Sequence, residues 1–506
     1  MKAWSPLLLA GSALAIAFSS SVHNVSAAEA GFIRAQAPGP IHIPLQQHIP
    51  PRSDPLPFEY NAAPLRPRAR SRTTRKEVVE WANAHRSHLR HKYRLQYRLH
   101  DSSTSPIRRD VADTGDASQT TADVRMTNYR HDSSWLARVR IGTPPAWYTV
   151  IVDTGSSDCW LSTDHFKVEN STTFVPTPDA VFDVQYGSGN VSGIIGHDIV
   201  SMGSGDVLFV SEKQVIAIAD KVTSSLKQSP LVSGIMGFAF ESLAGVNAPP
   251  FWLQANISDR RFAIFLERQL TSLTDVSPEV FAPGGSLTLG GVNSSLFIAG
   301  SENPIQVLER SFWLILLDGL SIGNQQVKLG DQRRAAIDTG TTLIGGPDAV
   351  IEELYSKIPG AEPMEGAPGY YTYPCSSSSI IEASMAFGGQ WYTLPDIDFV
   401  GDIASSDLSY CMGAFFGLGS LPDDNLQWII GGAFLKNTYT IFDADGGDDG
   451  KPQVVFASLA PGLNSGTQVT NVTEDVLPAS AGRSLSVSGF FVATVAFLAI
   501  VLSGFV

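Results

Sequence analysis

The sequence is poor in the residues on which many metal and nucleophile chemistries depend. Only three cysteines (Cys159, Cys375 and Cys411) stand among 506 residues, and beyond residue 109 only three histidines, His131, His165 and His197, widely spaced. That leaves no material for a His-based triad or a zinc site, and no His-Glu-x-x-His pair occurs. No metal and no cofactor is expected. Charged residues are scarce as well, 17% against 43% hydrophobic, which excludes a mainly disordered chain. A helical bundle is disfavoured, because short runs of Val, Ile, Thr and Phe are broken by Gly, Pro, Asn and Asp, a β pattern.

The net charge of -14 conceals a split: residues 28 to 109 hold 15 Lys and Arg against 6 Asp and Glu, and the rest of the chain beyond 109 holds 19 against 43. A basic segment therefore precedes an acidic body that repels nucleic acid and attracts the segment itself. The alternative reading of this segment is a solvated basic tail.

Both ends carry processing signals. Lys2, the apolar run Leu7 to Phe18 and the small residues Ser26, Ala27 and Ala28 read as a signal peptide over 1–27. The other end is apolar from Val487 to Val506, with small residues at Ala479 to Gly482 before it, so a glycolipid-anchor signal is expected in the tail 461–506, a plain membrane span being the alternative. Asn-x-Ser/Thr sequons begin at Asn170, Asn190, Asn256, Asn293 and Asn471, in keeping with passage to the cell exterior or surface. In an oxidising compartment two cysteines pair, and Cys375 with Cys411, both in the same late region, is the expected bridge. Cys159 then reads as a small buried hydrophobe.

Residues 32–72 are Pro-rich and basic, whereas 76–98 carry a helical pattern around Val78, Trp81, Ala82, His85 and Leu89. Ser, Thr and Asp dominate from 101 to 124, giving a basic prosegment over 28–109 and a linker over 110–130, with a dibasic processing pair at Arg108 and Arg109. The body alternates apolar runs with turn signals and repeats internally. An apolar strand runs into Asp153-Thr154-Gly155-Ser156, and a second runs into Asp338-Thr339-Gly340-Thr341. Each copy is followed by an apolar pair and Gly, at Ile235-Met236-Gly237 and at Ile429-Ile430-Gly431. Two duplicated lobes, 131–307 and 308–460, are expected to face each other. A third Asp-Thr-Gly, at 113–115, lies in the polar linker and reads as a turn.

Two carboxylates brought together cannot both ionise readily, so one retains a proton while the other stays charged. Such a pair binds a water, takes its proton and donates one to a peptide carbonyl. Gly155 and Gly340 permit close backbone approach, and Ser156 and Thr341 can donate hydrogen bonds to the carboxylates.

On these motifs the body, over roughly 130–460, resembles the pepsin-like aspartic endopeptidases, especially secreted or surface-anchored fungal ones. The resemblance implies an all-β bilobal fold with the active-site cleft between two duplicated lobes, with Asp153 and Asp338 as the catalytic residues and Thr154 and Thr339 beside them. Tyr186-Gly187-Ser188 resembles the flap that closes over substrate, Trp160 the residue in contact with the flap Tyr, and Ile235 a substrate-pocket residue. Gly432 stands where the family often has Asp. Protein or peptide substrates cut between large hydrophobic residues at acid pH are implied, with the chain monomeric and made as a zymogen. Lys92-Tyr93 resembles the family's prosegment Lys-Tyr and is the candidate for covering the two carboxylates. On acidification, loss of carboxylate charge and charging of the prosegment histidines, His85 among them, are expected to loosen the segment.

A calcium loop at 443–450 is rejected, since its twelfth position is Val454; a hairpin turn is expected. The alternative function is a catalytically inactive binding or wall-surface glycoprotein on the same fold, against which the intact Asp pair argues.

Overall fold

The computed structural model describes residues 74–102, 121–186, 189–222, 231–270, 281–376, 381–404, 409–421, 425–446, 450–463 and 467–468. The expected signal peptide over 1–27, Arg108 and Arg109, the third Asp-Thr-Gly, Gly187, Ser188, Asn471 and the C-terminal apolar run lie outside the described residues, as do the side chains of Tyr186 and Asn190.

Strands dominate, as the punctuated apolar runs predict. Thirteen of them form one continuous sheet that begins with Ala122–Tyr129, Ser134–Ile141 and Ala146–Asp153. Ala122–Tyr129 falls inside the linker expected over 110–130, so that linker ends earlier than its polar composition suggested. Ala122, Val124 and Met126 alternate inward, and this strand gains its ladder from Phe281–Leu289, a partner far along the chain. The late strands Tyr439–Asp443 and Gln453–Ala457 also join this sheet, through pairing of the former with Arg261–Leu266. They pair with each other antiparallel, which makes the acidic segment between them a hairpin connection, as expected.

The sequence repeat is a structural repeat. Ala146–Asp153 pairs in parallel with Gly234–Gly237, which pairs antiparallel with Cys159–Ser162. In the second half, Arg334–Ile337 pairs in parallel with Trp428–Ile430, which pairs antiparallel with Ile344–Gly346. In each half the strand preceding Asp-Thr-Gly and the strand following it flank a third, inserted strand. The chain must leave the first strand in a tight turn, and the Asp at its end is thereby fixed against buried backbone. Trp135, Trp252, Trp313 and Trp428 are all fully buried in the core beneath.

One long helix, Arg75–Ser102, covers the predicted 76–98 and buries Val78, Ala82, Leu89 and Tyr93, a stripe at helical spacing. Thr74 begins it with reciprocal bonds to Glu77: the Glu77 amide donates to Thr74 Oγ1 and the Thr74 amide to Glu77 Oε2. Cys375, just past the strand Tyr371–Pro374, is bridged to Cys411 on its partner strand Tyr410–Gly413, and Cys159 is buried, its thiol pushed up to about 12 by burial.

Candidate active site

Each Asp-Thr-Gly turn grips its own Asp. The Gly155 amide donates to Asp153 Oδ1 at 2.9 Å and Ser156 Oγ to Asp153 Oδ2 at 2.5 Å; the Gly340 amide donates to Asp338 Oδ1 at 2.8 Å and Thr341 Oγ1 to Asp338 Oδ2 at 2.5 Å. The hydroxyl residue following each Gly therefore bonds as its chemistry predicts.

The two turns also grip each other. Thr154 Oγ1 donates to the Ile337 carbonyl at 2.8 Å and accepts from the Thr339 amide at 3.0 Å, while Thr339 Oγ1 donates to the Val152 carbonyl at 2.8 Å and accepts from the Thr154 amide at 3.1 Å. All four partners are buried, so each threonine satisfies donors and acceptors that water cannot reach. Glycine is needed for sterics here: a Cβ on Gly155 would lie 2.5 Å from Asp338 Cγ, and one on Gly340 would lie 2.3 Å from Asp153 Oδ1. The carboxylates are thus forced together, each against the other's turn.

The helix delivers a cation to them. Lys92 Nζ lies 2.8 Å from Asp153 Oδ1 and 3.0 Å from Asp338 Oδ2, and Tyr93 OH donates to Asp338 Oδ2 at 2.9 Å. Lys92 is only 3% exposed. The Tyr93 ring packs on Phe312 at 4.8 Å between centroids.

Burial pushes the Asp153 carboxyl up, to about 6, against the pull of the Lys92 ammonium and with the help of the neighbouring Asp338 charge. Asp338 is equally buried, yet Lys92 and the hydrogen bonds it accepts, including that from Thr341, reverse the effect and hold it well below the usual carboxylate range. For Lys92, burial opposes the charge but the two carboxylates win and its pKa rises. Burial, and then the charges of Asp338 and Asp153, push Tyr93 well above its ordinary value. The two carboxylates share one buried site and titrate as a pair, with Lys92 as their common counter-ion.

The remaining predicted residues divide. Strand Val175–Tyr186 pairs antiparallel with Gly189–Ser204, with Tyr186 opposite Gly189 at the tip, so the expected flap is a hairpin. Trp160 is buried with Phe182, Val191 and Ile195 on this side, and among the described residues its indole nitrogen has no hydrogen-bond partner. Ile235 is half-buried and packs against both this cluster and that of Tyr129, Leu136, Ile151 and Phe281. Asn170 is exposed; Asn256 Oδ1 accepts from the Val210 amide, and Asn293 Nδ2 donates to Asp123. Among the described residues no cluster of His, Cys, Asp and Glu is arranged to hold a metal.

Sequence reasoning missed the contacts of Arg86 with Gly417 and Asp348, and it missed a buried ionic network in which Lys436 Nζ lies 2.7 Å from Asp132 Oδ2 and 2.6 Å from Asp398 Oδ1, with Arg268 bonded to Asp398. A signal for the network was present only as the charges Glu267-Arg268 and Lys436 directly after apolar runs.

A family model described as eukaryotic aspartyl protease matches residues 134–458. The chain is 33% identical over 417 residues to Major aspartyl peptidase 1 of Cryptococcus neoformans var. grubii, covering 76% of this chain and 82% of that protein. It is 30% identical over 343 residues to cathepsin D of Bos taurus, covering 63% and 84%, and 30% identical over 356 residues to cathepsin E of Aquarana catesbeiana, covering 67% and 84%.

Proposed function

Because the chain belongs to the eukaryotic aspartyl protease family and is an aspartic endopeptidase, we propose that Asp153 and Asp338 are its catalytic pair and that the helix Arg75–Ser102 belongs to a removable prosegment that holds it latent. The observation that carries both readings is the seating of one ammonium, Lys92 Nζ, within 3.0 Å of both carboxylates.

When Lys92 and Tyr93 leave, the position between the two carboxylates opens to water. The charged carboxylate takes a proton from that water as its oxygen attacks the peptide carbonyl carbon, and the protonated partner gives its proton to the carbonyl oxygen. A tetrahedral diol forms; a proton then passes to the amide nitrogen as the C–N bond breaks, releasing a carboxylic acid and an amine. The tight turns hold both carboxylates, so little reorganisation accompanies the transfer. The apolar surroundings of Ile235 and Trp160 favour large hydrophobic side chains on either side of the scissile bond.

The same reading places the protein outside the cell or at its surface, which the Cys375–Cys411 bridge supports. The apolar stretch 487–506 is proposed as a glycolipid-anchor signal, tested by release of the enzyme from membranes with a phosphoinositide-cleaving phospholipase. The zymogen reading is tested by incubating purified full chain at acid pH, following its N-terminus and its peptidase activity, and adding a transition-state mimic of the aspartic class. Activity that appears with loss of residues 75–102 and is blocked by the mimic supports it; activity insensitive to the mimic contradicts the assignment of the pair.

A further inference from the structure

Beyond Lys92 and Tyr93, the helix Arg75–Ser102 is read by a second site on the body. Arg86 Nε donates to the Gly417 carbonyl at 2.6 Å, and its Nη2 lies 3.4 Å from Asp348 Oδ1, with the Arg86 side chain only 16% exposed. The walls of this pocket are glycines in the left-handed region: Gly369, φ +86°, where a Cβ would stand 3.0 Å from Arg86 Nε, and Gly419, φ +71°, where one would stand 2.9 Å from Arg86 Nη2. The Gly419 amide donates to Asp348 Oδ1 at 2.8 Å, which fixes the carboxylate at the pocket mouth. Beside it Tyr370 stacks on Phe416, with ring centroids 5.0 Å apart, and the His85 ring sits against Phe416 with its Nδ1 2.8 Å from Tyr370 OH. The site is therefore a guanidinium socket next to an aromatic platform, made wholly by the body.

Arg86 precedes Lys92 by six residues, about 9 Å along a helix. That distance is spanned by about three residues of extended chain, so the socket is near enough to the catalytic pair to hold a substrate that is being cut.

We propose that the socket outlives the prosegment: once Arg75–Ser102 is removed, Asp348 and the Gly417 carbonyl capture an arginine of a protein substrate, presented on a basic amphipathic helix whose apolar side covers Tyr370 and Phe416. The proposal rests on the reading of 75–102 as a removable prosegment. The partner's chemistry follows from what the site already holds. The guanidinium reaches the carbonyl with Nε and the carboxylate with Nη2, two donors held apart in one plane, where lysine offers a single nitrogen, and the glycine walls leave room for the guanidinium but offer no apolar contact to a branched side chain. Recognition at this distance adds a requirement that a short peptide filling only the catalytic cleft does not meet.

The test uses enzyme activated from the full chain and a synthetic peptide of residues 75–91, which ends before Lys92 and does not reach the carboxylates. The cleft is first filled with a short transition-state mimic, and binding is followed by fluorescence anisotropy. The expected result is saturable binding that weakens about tenfold for the peptide carrying Arg86→Ala, a loss on the scale of one charge-assisted hydrogen-bonded pair. Arg86→Lys should not restore it. With Asp348→Asn enzyme the difference between the Arg and Ala peptides should collapse. In a substrate that joins the same segment through a flexible linker to a hydrophobic scissile pair, the Arg version should have a KM about tenfold lower than the Ala version. Equal binding of the Arg and Ala peptides, or equal KM for the two substrates, on enzyme that has lost residues 75–102 overturns the socket alone. Active enzyme whose N-terminal sequence still contains residues 75–102 overturns the prosegment reading and the socket with it.

Discussion

Thr154 and Thr339 hold each other across the two halves of the chain: each hydroxyl accepts from the other's backbone amide and donates to a carbonyl one residue before the opposite Asp. Four buried hydrogen bonds thus fix the separation of Asp153 and Asp338 from beneath. The effect on chemistry is indirect, through the placing of the carboxylates.

Replacing Thr154 by Val leaves the Thr339 amide and the Ile337 carbonyl without partners in a buried site, at a cost of about 1–3 kcal/mol for each group. The denaturation midpoint should fall, and kcat of the activated enzyme should fall with it while KM changes little. Thr154→Ser keeps the hydroxyl and should recover both. A Val variant with wild-type stability and kcat would show that the grip is dispensable.

Lys92→Met removes the ammonium and retains the apolar stem. Two buried carboxylates then lose their shared cation, and breaking a buried ion pair from one side costs about 3–5 kcal/mol, so the covered state should weaken by at least about a hundredfold. The full chain carrying this change should cleave a peptide at once at pH 5 without prior incubation, whereas the unaltered chain shows a lag. A lag of equal length in both would contradict the covering role of Lys92.

Asp158 is a buried acid that the catalytic account does not use. It accepts from the Gly245 and Val246 amides, yet burial outweighs them and pushes its carboxyl up to about 6. An acid whose folded pKa is raised adds stability that is complete below the unfolded value near 4 and is lost as pH rises through about 6. A shift of this size corresponds to about 3 kcal/mol. Thermal unfolding followed from pH 4 to pH 7 should therefore show declining stability, and Asp158→Asn should flatten that decline. An unchanged slope in the Asn variant would remove Asp158 from the pH dependence.

Asp398 works in the opposite sense. Burial alone would raise its carboxyl, but Lys436 and Arg268 hold it well below the usual range. Its contribution is present above the unfolded carboxylate value and is lost only as pH falls through the depressed folded one, so this network tolerates the acid in which the enzyme is expected to work. Asp398→Asn should cost about 3–5 kcal/mol in urea unfolding at pH 5; a cost below about 1 kcal/mol would show that the network is not held by this carboxylate.

The sequence made the Asp-Thr-Gly pair legible because the chemistry sits in contiguous residues on a repeated strand and turn, and the helix was legible because Val78, Trp81, Ala82, His85 and Leu89 recur at helical spacing. Local pattern does not name distant partners. Ala122–Tyr129 looked like linker because its ladder comes from Phe281–Leu289, and the socket for Arg86 is built from Asp348 and Gly417, more than 260 residues away. Thr154 and Thr339 were placed beside the catalytic residues by resemblance, but their mutual grip exists only once two halves have folded against each other. The Asp132, Arg268, Asp398 and Lys436 network is of the same kind: each charge alone reads as surface, and only the fold buries them together.

The most direct test is the turnover of Asp153→Asn and Asp338→Asn enzymes, separately, on a peptide with a hydrophobic pair at its centre, after removal of residues 75–102 by an added protease. Asn preserves shape and removes the proton-carrying oxygen, so each variant should fold with the wild-type far-ultraviolet spectrum and lose at least about a thousandfold in kcat/KM. Either variant retaining turnover within tenfold of wild type would contradict the assignment of Asp153 and Asp338 as a single acid–base unit.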